Sequence, residues 1–130
     1  MIVLDASATV DLLVHVDPLG EWVAERIVGE REVHAPELLD AEVLHALRRR
    51  VLREELTELA ARQSVADLLD LPIVRYPHRP FVERAWGLRG ALSPYDALYV
   101  ALAETLGGSL VTTDLRLGRT VSTVDVVSPP

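Results

Sequence analysis

The sequence predicts an α/β domain, a short and mainly parallel central sheet surrounded by helices. Three observations carry this. Short apolar runs rich in β-branched residues recur at 2–4, 32–35, 73–75 and 109–113. Stretches with helical apolar spacing separate them. No internal repeat, low-complexity segment or long linker interrupts the alternation.

Each element follows from local chemistry. Ile2-Val3-Leu4 reads as a buried strand, with Ser7 as N-cap of a helix over 8–15. A second helix is expected over 19–29, with Trp22, Val23 and Ile27 on one face, and a strand over 32–35 that Pro36 ends. Residues 37–53 form a helix whose buried stripe is Leu39, Val43, Ala46 and Leu47. Another amphipathic helix covers about 55–70, and Pro72 separates it from a strand at 73–75. A helix over 79–90 ends at Gly90. The next helix spans about 94–106 and stops at Gly107-Gly108. A strand at 109–113, a short helical turn and a last strand near 123–127 complete the chain.

The 130 residues are expected to form one domain, 1–130, with 128–130 as a frayed tail. The chain has no cysteine, which excludes disulfides, zinc–thiolate sites and a Cys nucleophile. No apolar run approaches the roughly 20 residues needed to span a bilayer, and the N-terminus lacks a signal pattern. The expected location is cytoplasmic, with no membrane partner.

The net charge is −7, and all 13 cationic side chains are arginines. A P-loop or Schiff-base lysine is therefore excluded. An acidic chain binds a polyanion poorly in bulk, so a nucleic-acid partner would require local arginines or metal ions. Arg48-Arg49-Arg50 with Arg53 is the dense basic cluster. It reads either as a solvated helix end suited to the macrodipole or as a contact surface. The histidines (His15, His34, His45 and His78) share no motif and read as surface or half-buried residues. Neither a G-x-S-x-G elbow nor a G-x-G-x-x-G loop is present.

Four acids stand out. Asp5 and Asp114 end predicted parallel strands, where ligands collect in α/β sheets, although each could equally be a turn or capping aspartate. Asp96 falls at N3 behind Ser93 and Pro94, where capping and the helix dipole explain it locally. The helix it opens is apolar nearly all round, so that carboxylate must be hydrogen-bonded, capped or metal-bound. Glu42 lies past the first turn of its helix at the edge of the core stripe, as a site residue or as a rim acid paired with His45 or Arg49. Four carboxylates converging at one end of a sheet would repel unless a cation joined them. Hard oxygen donors suit Mg²⁺ or Mn²⁺, and such ions promote in-line phosphodiester displacement.

The pieces "IVLDASATVDLL" at 2–13, "APELLDAEVLHALRR" at 35–49, "LSPYDALYVALAETLG" at 92–107 and "LVTTDLRLGR" at 110–119 together cover nearly the whole chain. In their order and spacing the sequence resembles the PIN-domain nucleases, and within them the toxins of VapBC-type toxin–antitoxin pairs. The resemblance implies a three-layer α/β/α fold and a metal-dependent endoribonuclease acting on RNA such as tRNA or rRNA. It implies that Asp5, Glu42, Asp96 and Asp114 form the Mg²⁺ or Mn²⁺ site, with Ser7 and Thr113 as supporting hydroxyls. It further implies a homodimer, neutralised by a small antitoxin seated in the active-site groove. Many relatives carry another acid shortly after the position of Asp114, where this chain reads Leu115-Arg116-Leu117-Gly118.

Two other readings compete. A non-catalytic binding module on the same fold would use the acids only for structure. An aspartyl-phosphate phosphatase or phospho-acceptor domain would also place an Asp at the end of strand one. That class normally needs D-x-D or a nearby lysine, and this chain has Asp5-Ala6-Ser7 and no lysine.

Overall fold

A computed structural model describes residues 1–130. The elements run β1 (Ile2–Leu4), α1 (Ala6–Leu13), α2 (Leu19–Ile27), β2 (Val33–Pro36), α3 (Leu38–Leu52), α4 (Glu58–Asp70) and β3 (Ile73–Tyr76). A 3₁₀ turn (Arg79–Phe81) leads into α5 (Val82–Gly87), followed by α6 (Pro94–Leu106), β4 (Ser109–Val111), α7 (Leu115–Thr120) and β5 (Val126–Val127). All five strands are parallel, in the order β3-β2-β1-β4-β5. Parallel pairing requires a long crossover between neighbours, and the helices supply it.

The period-2 alternation of the strands divides the core between two faces. Val3 and its register partner Leu110 join a large cluster with Leu39, Val43 and Leu47 of α3 and with Tyr99 and Leu102 of α6. Leu4 and its partner Val111 point the other way, into a smaller cluster with Ala8 and Val23. Trp22 and Ile27 pack against that smaller cluster, as their expected shared face with Val23 requires. The result is the expected three-layer arrangement. The α1–α2 contact is close because Gly20 has no side chain: a Cβ there would sit 2.7 Å from the backbone oxygen of Asp11. At the far end of α6, Gly107 closes the helix at φ 65°, the left-handed conformation that glycine tolerates best.

The ends of several elements differ from the sequence reading, each for a local reason. Asp5, not Ser7, caps α1, because its carboxylate reaches the Ala8 N–H at 2.9 Å. Helix α2 stops at Ile27, two residues before Gly29 at φ 87°. Strand β2 runs through Pro36, pairing it with Tyr76, and the Leu38 N–H at the head of α3 donates to His78 Nε2. Thr57 caps α4 by accepting from the Ala60 N–H, so that helix begins at Glu58. The expected helix over 79–90 resolves into a 3₁₀ turn and α5. Beyond Gly87 the Leu88 and Arg89 N–H groups bond to carbonyls three residues back, tightening the chain out of the α geometry before Gly90. Strand β5 is confined to Val126–Val127. His34 is buried, its Nδ1 2.7 Å from the Tyr76 hydroxyl, so this histidine is neither surface nor half-buried.

Candidate metal centre

The carboxyl ends of β1 and β4 lie side by side, and the side chains that follow them interlock. Asp5 is the most buried acid of the set, at 7 % exposure. Its Oδ1 accepts from the Ser7 hydroxyl at 2.8 Å and from the Ala8 N–H at 2.9 Å. Ser7 Oγ lies 3.2 Å from Thr112 Oγ1 and accepts from the Thr113 N–H at 3.2 Å. Thr112 Oγ1 accepts from the Asp114 N–H at 2.9 Å. This hydrogen-bonded chain ties the end of β1 to the end of β4. It also shortens the predicted strand at 109–113, because the Thr113 N–H is taken by a side chain instead of a ladder partner.

Glu42 reaches the site from the second turn of α3. Its Oε1 accepts from the Tyr99 hydroxyl at 2.7 Å, so neither His45 nor Arg49 is its partner. Asp96 enters from the first turn of α6. Ser93 caps that helix by accepting from the Asp96 N–H at 3.2 Å, while the Asp96 carboxylate turns toward Arg116. Asp114 caps α7 by accepting from the Arg116 N–H at 3.0 Å. The Arg116 guanidinium lies 3.5 Å from Asp96 and 3.2 Å from Asp114, a cation between two of the acids.

The electrostatics record the convergence. Burial pushes the Asp5 carboxyl up to about 6 against the pull of its hydrogen bonds from Ala8, Thr112 and Ser7, and Asp96 adds repulsion. Burial likewise raises Glu42, opposed by the Tyr99 hydroxyl and assisted by Asp96. Asp96 is raised by burial, lowered by Arg116 and raised again by Asp114. Tyr99 is held firmly protonated by burial and by the neighbouring charges of Glu42, Asp5 and Asp96. Each of the four acids thus feels at least one of the others or shares a partner with it.

The structure brings together Asp5, Glu42, Asp96 and Asp114 as predicted, with Ser7 among them. Thr113 contributes its backbone N–H, whereas the hydroxyl facing Ser7 belongs to Thr112. Three participants, Tyr99, Thr112 and Arg116, are given no site role by the sequence reading. Tyr99 lies one helical turn after Asp96, and that i, i+3 spacing was the available signal. Thr112 is adjacent to the residue chosen. Arg116 stands in the segment where the resemblance led to an acid. As donors, the carboxylates fit a hard divalent cation: all are oxygen ligands, and raised acids in mutual repulsion gain when positive charge enters. No three Asp, Glu or His side chains stand close enough together in this structure to hold a metal ion as they are.

The PIN domain profile matches residues 2–121. Ribonuclease VapC12 of Mycobacterium tuberculosis is 45% identical over 119 residues, 92% of this chain and 91% of the relative. Among solved structures, Mycobacterium tuberculosis VapC20, described as a sarcin-ricin loop cleaving toxin, superposes with a TM-score of 0.71 at 19% identity, covering 92% of this chain and 94% of that one. VapBC2 of Rickettsia felis, solved with a DNA fragment from its promoter, gives 0.69 at 13% identity over 100% of both chains. The two structures share the fold.

Proposed function

The chain belongs to the PIN domain family, and on that premise we propose that it is an endoribonuclease toxin that hydrolyses RNA phosphodiester bonds with Mg²⁺ or Mn²⁺. The observation that carries this reading is the meeting of Asp5, Glu42, Asp96 and Asp114 at one end of the sheet, three of them pushed up by burial. Asp5, Asp96 and Asp114 are the residues that would hold the cation. When bound, the metal supplies positive charge for the scissile phosphate and acidifies a water.

The protein's own groups divide the remaining work. Tyr99 holds Glu42 through Oε1, which leaves Oε2 to orient the attacking water and take its proton. A carboxylate raised by burial is a better base than an exposed one. Ser7 fixes the Asp5 carboxylate, and the Thr112 hydroxyl fixes the backbone at Asp114. Arg116 offsets the charge of Asp96 and Asp114 and stands where a phosphate oxygen could meet it.

The name VapC carried by the relative supports a small antitoxin as partner. A homodimer is part of the same reading, supported by the exposed Trp86 and Val82 on α5. No helix is long and apolar enough to cross a membrane, and an RNA substrate is consistent with action in the cytoplasm. The purified protein should cleave RNA with Mg²⁺ or Mn²⁺ and stop with EDTA. Asp96→Asn should abolish cleavage with an unchanged circular dichroism spectrum. Undiminished cleavage by that variant would refute the assignment, and absence of Mn²⁺ binding in calorimetry would favour a non-catalytic binding module.

A further inference from the structure

A groove of about 630 Å³ lies between α1 and α3, and Glu42 is the member of the four acids that lines it. Ser7, Glu42, Arg49, Arg50 and Tyr95 are among the residues that line it. Glu42 and Arg49 are seven residues apart on one helix face, roughly 10 Å along the axis. Glu42 and the two guanidiniums thus line one groove, spaced along α3.

Neither Arg49 nor Arg50 makes an ion pair, so both guanidiniums in the groove lining are free to meet a ligand. Arg50 makes only a long contact, 3.5 Å, to the Ala46 carbonyl. Tyr95 is 57 % exposed, directly before Asp96, and its ring is not engaged with another aromatic ring or a cation. Asp11 and His45 also line the groove.

We propose that this groove is the subsite for the single-stranded RNA flanking the cleaved bond, with Arg49 and Arg50 taking backbone phosphates and Tyr95 stacking a base beside Asp96. The proposal rests on the nuclease reading above and specifies how an acidic protein holds a polyanion. Guanidiniums suit phosphate oxygens, and an exposed aromatic ring accepts any base. The basic run Arg48-Arg49-Arg50 is thereby split by the turn of the helix. Arg48 lies about 100° round from Arg49 and lines a different groove with Leu44, Leu52 and Val65.

The test uses the Asp96→Asn protein, in which RNA survives, with a fluorescein-labelled oligouridylate and Mn²⁺ over a salt series. Arg49→Ala and Arg50→Ala should each weaken binding and reduce the slope of log affinity against log salt by about 0.7. Tyr95→Ala should weaken binding about fivefold or more with the slope unchanged. Arg48→Ala carries the same charge change on the other face and should alter neither quantity. An equal effect of Arg48→Ala, or no slope change at Arg49 and Arg50, overturns the proposal. So does competition by polyglutamate as strong as that by unlabelled oligouridylate, which would assign the groove to an acidic protein segment. Absence of metal-dependent cleavage in the wild-type protein would instead sink the nuclease reading, so the two failures are separable.

Discussion

Asp5 both starts a helix and holds a charge it cannot comfortably carry. Its folded pKa, about 6, lies above the ordinary carboxylate value. The folded state therefore binds a proton more tightly than the unfolded chain between those values. The stability associated with that proton is full below about pH 4 and is lost as the pH rises through about 6. In metal-free protein, Asp5→Asn keeps an oxygen to cap Ala8 and removes the buried charge. It should stabilise the fold at pH 7 by on the order of 1–3 kcal/mol, with the advantage vanishing near pH 4. Urea denaturation of both proteins at the two pH values checks this. At this scale the convergence of Asp5, Glu42, Asp96 and Asp114 was legible, because each acid stood at an element end or core edge that needed a reason. The sequence was not legible where neighbours of one type compete. Thr112 and Thr113 differ only in which face of the strand end they occupy. Tyr99 reads as core until Glu42, 57 residues earlier in the chain, is known to meet its hydroxyl.

Secondary-structure elements were readable in kind and order, because apolar periodicity is a local property. Their ends were less so, because caps depend on partners far away. The His78 ring that receives the Leu38 N–H lies 40 positions along the chain. The Ser7 hydroxyl that takes the Thr113 N–H lies 106 positions away. Close packing of α1 on α2 is another property that only the assembled structure reveals. It carries its own prediction: Gly20→Ala would press a methyl against the Asp11 carbonyl of α1. That backbone cannot swing aside as a side chain could, so the variant should lose about 1–3 kcal/mol of stability, read as a lowered denaturation midpoint. RNA cleavage per folded molecule should survive, since the clash falls on the Asp11 carbonyl, past the first turn of α1 that Asp5 caps.

Across the whole molecule, the acidic site costs stability that a cation should restore. Ligands that bind only the folded state stabilise it by mass action, about 2.7 kcal/mol at a hundredfold excess over Kd. Saturating Mn²⁺ should accordingly raise the Tm of the wild-type protein, EDTA should reverse the gain, and Asp96→Asn should show a much smaller one. Thermal scans at fixed protein concentration check all three. The parallel architecture was readable from the alternation of strands and helices, whereas the order β3-β2-β1-β4-β5 needed the structure. That order has a consequence in time. The acids are synthesised in the sequence Asp5, Glu42, Asp96, Asp114, and β4, the neighbour that β1 lacks until the end, precedes the last of them by only a few residues. A growing chain that stops short of β4 has an open sheet edge and an incomplete acid pocket. The four acids can therefore meet only after translation has passed Asp114.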